Sequence, residues 1–208
     1  MINESIKYGW EKTKENLQIS IFTTILMLIV GVVSGGGKGF FKTILGILAT
    51  IFLLVIRIGY NKIFLRISDG EKPKFSDIFN EYRLFWKFLG VSILMPIVVI
   101  AGLILLIVPG IIWAVRFSFA PLILVDTKMG PIASMKESFT ITRGNFWKFL
   151  LFWLAIAIIN IVGLLLLGVG LLLTIPASTF AMIHIYRTLS ASRAAVVTEP
   201  APMPAPVA

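Results

Sequence analysis

The sequence predicts an all-α polytopic membrane protein: six transmembrane helices in three hairpins, with a short amphipathic interfacial helix before each hairpin. Three observations carry this. Of 208 residues, 58% are hydrophobic and 14% charged, with a mean hydropathy of +0.96. That is more apolar surface than a soluble domain of this length can bury, so the solvent of this chain is largely lipid. The apolar residues fall into six runs of about 17 to 22 residues, long enough to cross a hydrocarbon core of about 30 Å. The links between runs alternate between brief and long, which pairs the runs into hairpins.

The first interfacial segment carries Ile6, Trp10 and Leu17. Spans one and two follow at 17–33 and 40–60, joined by the glycine-rich "SGGGKG" (34–39). The second segment has the clearest pattern. Phe75, Ile78, Phe79, Tyr82 and Phe85 recur at i, i+3, i+4, i+7 and i+10, one face of a helix, and Lys74, Asp77, Glu81 and Arg83 occupy the rest. Spans three and four lie at 88–107 and 110–126, joined by a "VPG" turn (108–110), and Pro121 interrupts the fourth. The third segment repeats the design with Ile132, Met135, Phe139 and Phe146. Its start is open between Pro131 in the first turn and a capping box of Ser134 with Glu137. Spans five and six lie at 146–167 and 170–188, joined by "LGVG" (167–170), with Pro176 interrupting the sixth. Residues 191–208, ending "TEPAPMPAPVA", are too rich in Pro and Ala to build a core and are expected to form a disordered cytoplasmic tail.

Orientation follows from Lys and Arg. Lys38 and Lys42 flank the first hairpin tip, and Arg116 lies inside a span. The other sixteen of nineteen basic residues lie toward the side of the termini and long loops, with Arg57, Lys148 and Arg187 at span ends there. That side is expected to be cytoplasmic, which gives a multi-pass protein of the cytoplasmic (inner) membrane with both termini inside. A cleaved signal peptide is the rival reading of 1–33. No A-x-A-like site follows it, and five more spans do, so a retained first helix is expected.

The chain also repeats itself. "SIKYGWEKTKEN" (5–16) aligns without a gap with "SMKESFTITRGN" (134–145), and "FWKFL" at 85–89 recurs at 146–150. Residues 1–190 therefore read as one membrane domain of three units, about 1–70, 71–127 and 128–190. Such hairpin repeats occur in transport folds and equally in membrane proteins that grew by duplication.

Several chemistries lack their residues. With no cysteine, thiolate sites and cysteine nucleophiles are excluded, and one histidine (His184) leaves almost nothing for histidine-based metal or acid-base chemistry. "SGGGKGF" fails the phosphate-loop spacing, because Val32 stands where a glycine is needed and Gly39 where Ser or Thr should follow the Lys. The acidic residues lie in cytoplasmic segments or at their edge, so no proton or cation relay is placed in a span. No catalytic residue, metal or cofactor is expected. The net charge of +9 goes with anionic lipid, not nucleic acid.

Two sets of residues are candidates for function. Trp10, Trp86 and Trp147 should sit at headgroup level. Lys14, Lys87, Arg143 and Lys148, with Asn145 beside them, could meet anionic headgroups, each basic residue gaining roughly 1 kcal/mol from leaflet charge. The second set is intramembrane. Arg116 lies six residues into span four, about 9 Å from its outer end. Either it snorkels or bonds to carbonyls freed by a proline, or it faces a wet cavity and holds an anion with Asn160, near Thr174, Ser178 and Thr179.

"VPGIIWAVRFSFAPLILVD" (108–126), followed by "GPIASMKESFTITRGNFWKFLLF" (130–152), resembles a set of uncharacterised bacterial membrane proteins grouped with the membrane domain of glycerophosphodiester phosphodiesterases. The likeness runs from about 75 to 190. It rests on the Pro-Gly pair, the Arg followed by aromatic and small residues, then Pro and Asp, and Ala133, Ser138, Gly144 and Asn145 in the following loop. The resemblance implies the membrane part without the enzyme, whose chemistry needs paired histidines on a metal. The expected function is a non-enzymatic protein that interacts with membrane lipids or supports a membrane-protein partner, or assembles with itself. The alternative is a transporter or channel subunit for a small anionic solute.

Overall fold

The computed structural model describes residues 2–34, 40–166 and 168–198. Among them the chain is helical throughout: α1 (Ile2–Glu15), α2 (Leu17–Ser34), α3 (Phe40–Ser68), two short 3-10 turns (Phe75–Phe79 and Tyr82–Leu84), α4 (Phe85–Leu105), α5 (Ile107–Phe117), α6 (Ala120–Thr127), α7 (Pro131–Ile141), α8 (Phe146–Leu165) and α9 (Leu171–Thr198). Four stretches, Thr43–Ser68, Phe75–Leu105, Ile107–Thr127 and Phe146–Leu165, are long and apolar enough to cross a membrane. A fifth is added if Ile2–Glu15 and Leu17–Val32, bent by 97°, are taken as one span.

Consecutive helices pack on one another, α2 on α3, α4 on α5, and α8 on α9. Each short segment packs against a helix that precedes it around the bundle. The Phe75–Phe79 turn lies on α3, α7 on α6, and α1 on the last helix, α9. The core lies between α3, α6, α8 and α9. Tyr60, Phe64 and Phe180 stack in series at 4.2 and 4.5 Å between ring centroids, and Phe119 meets Phe149 edge-on. Helix α6 is at the centre, with Leu122, Ile123, Leu124 and Val125 each no more than 1% exposed. A helix apolar all round is stable only when surrounded. The exposed faces of α3, α4 and α8 are apolar, for example Ile47, Ile97 and Leu154, as lipid contact requires.

Several expectations are corrected. The VPG triplet is not a turn. The chain reverses at Leu106, in extended conformation, and Pro109 stands in the first turn of α5, where a missing N–H costs nothing. Gly110 instead lets α5 approach α4, since a Cβ there would press on Leu103. Span four breaks at Ser118 and Phe119, ahead of Pro121, which starts α6. Pro176 does not interrupt α9. The second interfacial segment is not one amphipathic α-helix but two 3-10 turns, and of its apolar face only Ile78 is fully buried. The third starts at Pro131, and the Ser134 hydroxyl bonds inside that helix to the Pro131 carbonyl.

Helix α1 is corrected too. Its fully buried residues are the small ones, Ser5, Gly9 and Thr13, while Ile6 and Trp10 are half-buried. Gly9 meets the Ala177 backbone with no room for a Cβ, and the Ser5 hydroxyl lies 3.0 Å from His184 Nδ1, whose ring packs on Tyr8. Helix α9 runs through Thr198, so 191–198 is helical where a disordered tail was expected. Residues 199–208, and the hairpin tip at 35–39, lie outside the described residues.

Candidate functional site: a cavity with convergent polar groups in the bundle

Arg116 occupies a different place from the one its sequence position implied. It ends α5 against α7, with its guanidinium carbon 4.4 Å from the centroid of the Phe139 ring. Its carbonyl, released from helical pairing by the break at 118–119, accepts from Ser138 Oγ at 2.6 Å and Thr142 Oγ1 at 3.5 Å. Irregular backbone is tolerated inside a bundle when protein groups satisfy it, and α7 supplies those groups. Ser118 Oγ returns to the Val115 carbonyl and accepts from Trp153 Nε1. The motif's Ser138 thus closes the broken span, and Gly144 takes a positive φ of 83° ahead of α8, a conformation glycine adopts freely. Ser138→Ala should lower thermal stability by about 1 to 2 kcal/mol, because the Arg116 carbonyl loses its shortest donor. Unfolding in detergent, compared with exposed Thr140→Ala, measures it.

Arg116 and Asn160 are not brought together. Asn160 Nδ2 donates to Ile156 and to Ser178 Oγ, both at 2.9 Å, and Arg116 is absent from the lining of the cavity that Asn160 faces. The cause is the break, which turns the α5 end toward α7.

That cavity, of about 660 Å³, lies among α2, α3, α4, α6, α8 and α9. Its polar side chains are Arg57, Tyr60 and Asn61 from α3, Ser92 from α4, Asn160 from α8, and Ser178 and Thr179 from α9. Residues 57, 60 and 61 share one helix face at i, i+3 and i+4. The Tyr60 hydroxyl lies 3.3 Å from Thr179 Oγ1. The other walls are apolar, among them Phe88, Met95, Trp153 and Met182. The Asn160 Oδ1 atom is buried with no partner. Pro96 also lines the space and offers no N–H to the Ser92 carbonyl one turn earlier.

Arg57 was expected at the end of span two. Helix α3 continues to Ser68, which sets Arg57 eleven residues, about 16 Å, from that end. No ion pair or hydrogen bond of its side chain occurs among the described residues. A fixed charge within a span costs at least about 2.5 kcal/mol, which makes Arg57 a candidate site residue. The sequence held the signal in the polar triplet 57, 60 and 61. The assumed end of the apolar run at position 60 hid it.

The expected headgroup residues divide. Trp86 and Trp147 are 78% and 73% exposed, and Lys14, Lys87, Arg143 and Lys148 are exposed. Trp10 instead lies among Ile156, Ile159, Ala177 and Ala181, where α1 meets α8 and α9. Asn145 precedes α8 without a side-chain capping bond. The two FWKFL copies occupy matching environments. Each starts a helix, with Phe85 and Phe146 edge-on to the following Trp and with Phe88 and Phe149 buried. Lys87 reaches the Lys128 carbonyl at 2.7 Å.

At the same end of the bundle, Arg187 of α9 joins two carboxylates. It reaches Asp126 through Nη1 at 2.7 Å and Nη2 at 3.0 Å, and Asp69 at 2.7 Å, while the Tyr186 hydroxyl donates to Asp126 at 2.7 Å. This clasp ties the ends of α3 and α6 to the middle of α9. It gives the motif's Asp126 a structural place.

The family described as Domain of unknown function (DUF7847) matches residues 84–207. The chain belongs to this family. The DUF7847 match takes in α4 to α9, hence the broken span, Asp126 and Arg187, and the α4, α8 and α9 walls of the cavity. Arg57 and Asp69 lie before it. Among curated proteins, Uncharacterized protein Rv2560 of Mycobacterium tuberculosis (strain ATCC 25618 / H37Rv) is 33% identical over 138 residues, 66% of this chain and 42% of that protein. Uncharacterized proteins Mb2590 of Mycobacterium bovis and MT2637 of Mycobacterium tuberculosis (strain CDC 1551 / Oshkosh) are 31% identical with the same coverage. The chain thus spans less than half the length of these relatives. No solved structure matches.

Proposed function

We propose that this DUF7847 protein is a non-enzymatic, lipid-interacting accessory protein of the cytoplasmic membrane. In this reading it has six spans in three hairpins, with both termini on the cytoplasmic side. The observation that carries the lipid reading is the duplicated FWKFL helix start. Two separate helices present the same exposed Trp and Lys beside the same buried Phe, a pairing suited to the headgroup layer. Support for six spans comes from the packing of α2 on α3 and of α9 on α8. The cyclic placement of α1, the 3-10 turn and α7 supports three repeated units. The resemblance of 108–126 and 130–152 to the membrane part of glycerophosphodiester phosphodiesterases is kept as a proposed kinship, and no catalytic role is proposed with it.

Protein carrying Lys87→Gln and Lys148→Gln should retain less phosphatidylglycerol on purification, by roughly fivefold per lysine if each contributes about 1 kcal/mol. Native mass spectrometry counts the bound lipid. Unchanged retention would overturn the lipid reading and turn attention to a protein partner.

A further inference from the structure

We propose that the cavity between α3, α4, α8 and α9 binds the anionic headgroup of a membrane lipid, with Arg57 as its counter-charge. This rests on the lipid-interacting reading and adds a second, internal site to it.

The charge argument comes first. Arg57 is a permanent cation that lines the cavity and has no carboxylate or hydrogen-bond partner among the described residues. The other groups that line the cavity, Asn61, Ser92, Asn160, Ser178 and Thr179, are neutral and polar. A site with one unopposed cation and neutral hydrogen-bonding groups takes an anion. The buried, unpartnered Asn160 Oδ1 is an acceptor, so a headgroup that also carries a hydroxyl or N–H satisfies it.

The shape argument selects a lipid over a free anion. Most of the lining is apolar, which suits the first carbons of an acyl chain and not a hydrated ion. The cavity opens sideways, since Arg57 and Pro96 are both exposed. That opening is flanked on α4 by exposed Ile93 and Ile97, a surface that faces hydrocarbon. An amphiphile can therefore enter from the bilayer with its chain still in lipid. The volume of about 660 Å³ lies within the roughly 300 to 1,000 Å³ usual for small-molecule sites.

The absence of native cysteine makes the test clean. Ser92→Cys places a thiol on the cavity wall, and Gly31→Cys, with no neighbouring atom within 4 Å, is the control. Alkylation by N-ethylmaleimide is timed in detergent with added phosphatidylglycerol, phosphatidylcholine or inorganic phosphate. Phosphatidylglycerol should slow reaction at Ser92→Cys by roughly fivefold or more, with no effect at Gly31→Cys and little from the other two. Arg57→Met should abolish this protection and Arg57→Lys should keep part of it. Equal rates in the two lipids would overturn the proposal, and that comparison stands even if Arg57→Met fails to fold. Protection by inorganic phosphate would overturn it in favour of a free-anion site. Lys87→Gln with Lys148→Gln should leave the protection intact, so failure of this site and failure of the surface reading appear in different variants.

Discussion

Gly59→Ala should destabilise the protein by about 3 kcal/mol, although it adds a single methyl group to a helix. A Cβ at Gly59 would fall within the peptide group of Ile78, on its carbonyl oxygen and carbon. The neighbour is backbone, which has no rotamer to change. It cannot retreat cheaply, because the Phe75–Phe79 turn is held by Asp77, which accepts from the Lys74 backbone N–H, from Arg66 and from Asn80. Gly31→Ala is the matched control. No atom lies within 4 Å of a Cβ there, and alanine should gain up to about 1 kcal/mol of helix propensity. Thermal unfolding in detergent compares the two, and equal melting temperatures would remove the close α3 contact from the account.

Asp126→Ala should cost about 2 to 3 kcal/mol, since it strips three charge-assisted hydrogen bonds from Tyr186 and Arg187 and leaves Arg187 only its exposed bond to Asp69. Asp69→Ala should cost no more than about 1 kcal/mol, because that side chain is 42% exposed against 16% for Asp126. Removing Arg187 together with Asp126 should cost less than the sum of the single changes, by about 1 kcal/mol or more, which a double-mutant cycle reads directly. Strict additivity would mean that the clasp ties the three helices only in appearance.

The helices were legible because burial in lipid imposes a simple rule on sequence. Every backbone group must be paired within the span, so an apolar run of sufficient length becomes a helix. The FWKFL helix starts follow from that rule and from local repetition, whereas the reversal falls at Leu106, ahead of the VPG triplet expected to make it. The candidate site was legible only in part. Asn160, Ser178 and Thr179 were picked out as intramembrane polar residues and do share a cavity. Arg116, chosen as their cation, stacks on Phe139 instead, and the arginine that lines their cavity is Arg57. Both arginines interrupt apolar runs, and nothing local distinguishes an arginine that meets an aromatic ring from one that faces a space. That difference arises where α5 breaks.

Composition and periodicity by themselves determined the helical class, the membrane as solvent, the approximate limits of the helices and the absence of cysteine chemistry. Each depends on a property summed along a few turns of chain. Tertiary structure alone decided which face of α1 is packed, that α6 lies at the centre, that Ser138 closes the break in span four, that Asp69, Asp126 and Arg187 meet, and that Arg57 and Asn160 line one cavity. The physical reason is common to all five. In lipid, hydrophobicity does not favour one helix face over another, so association is set by close approach of small residues and by polar pairs. Those pairs join residues as far apart as Ser5 and His184, and only the assembled bundle brings them within reach.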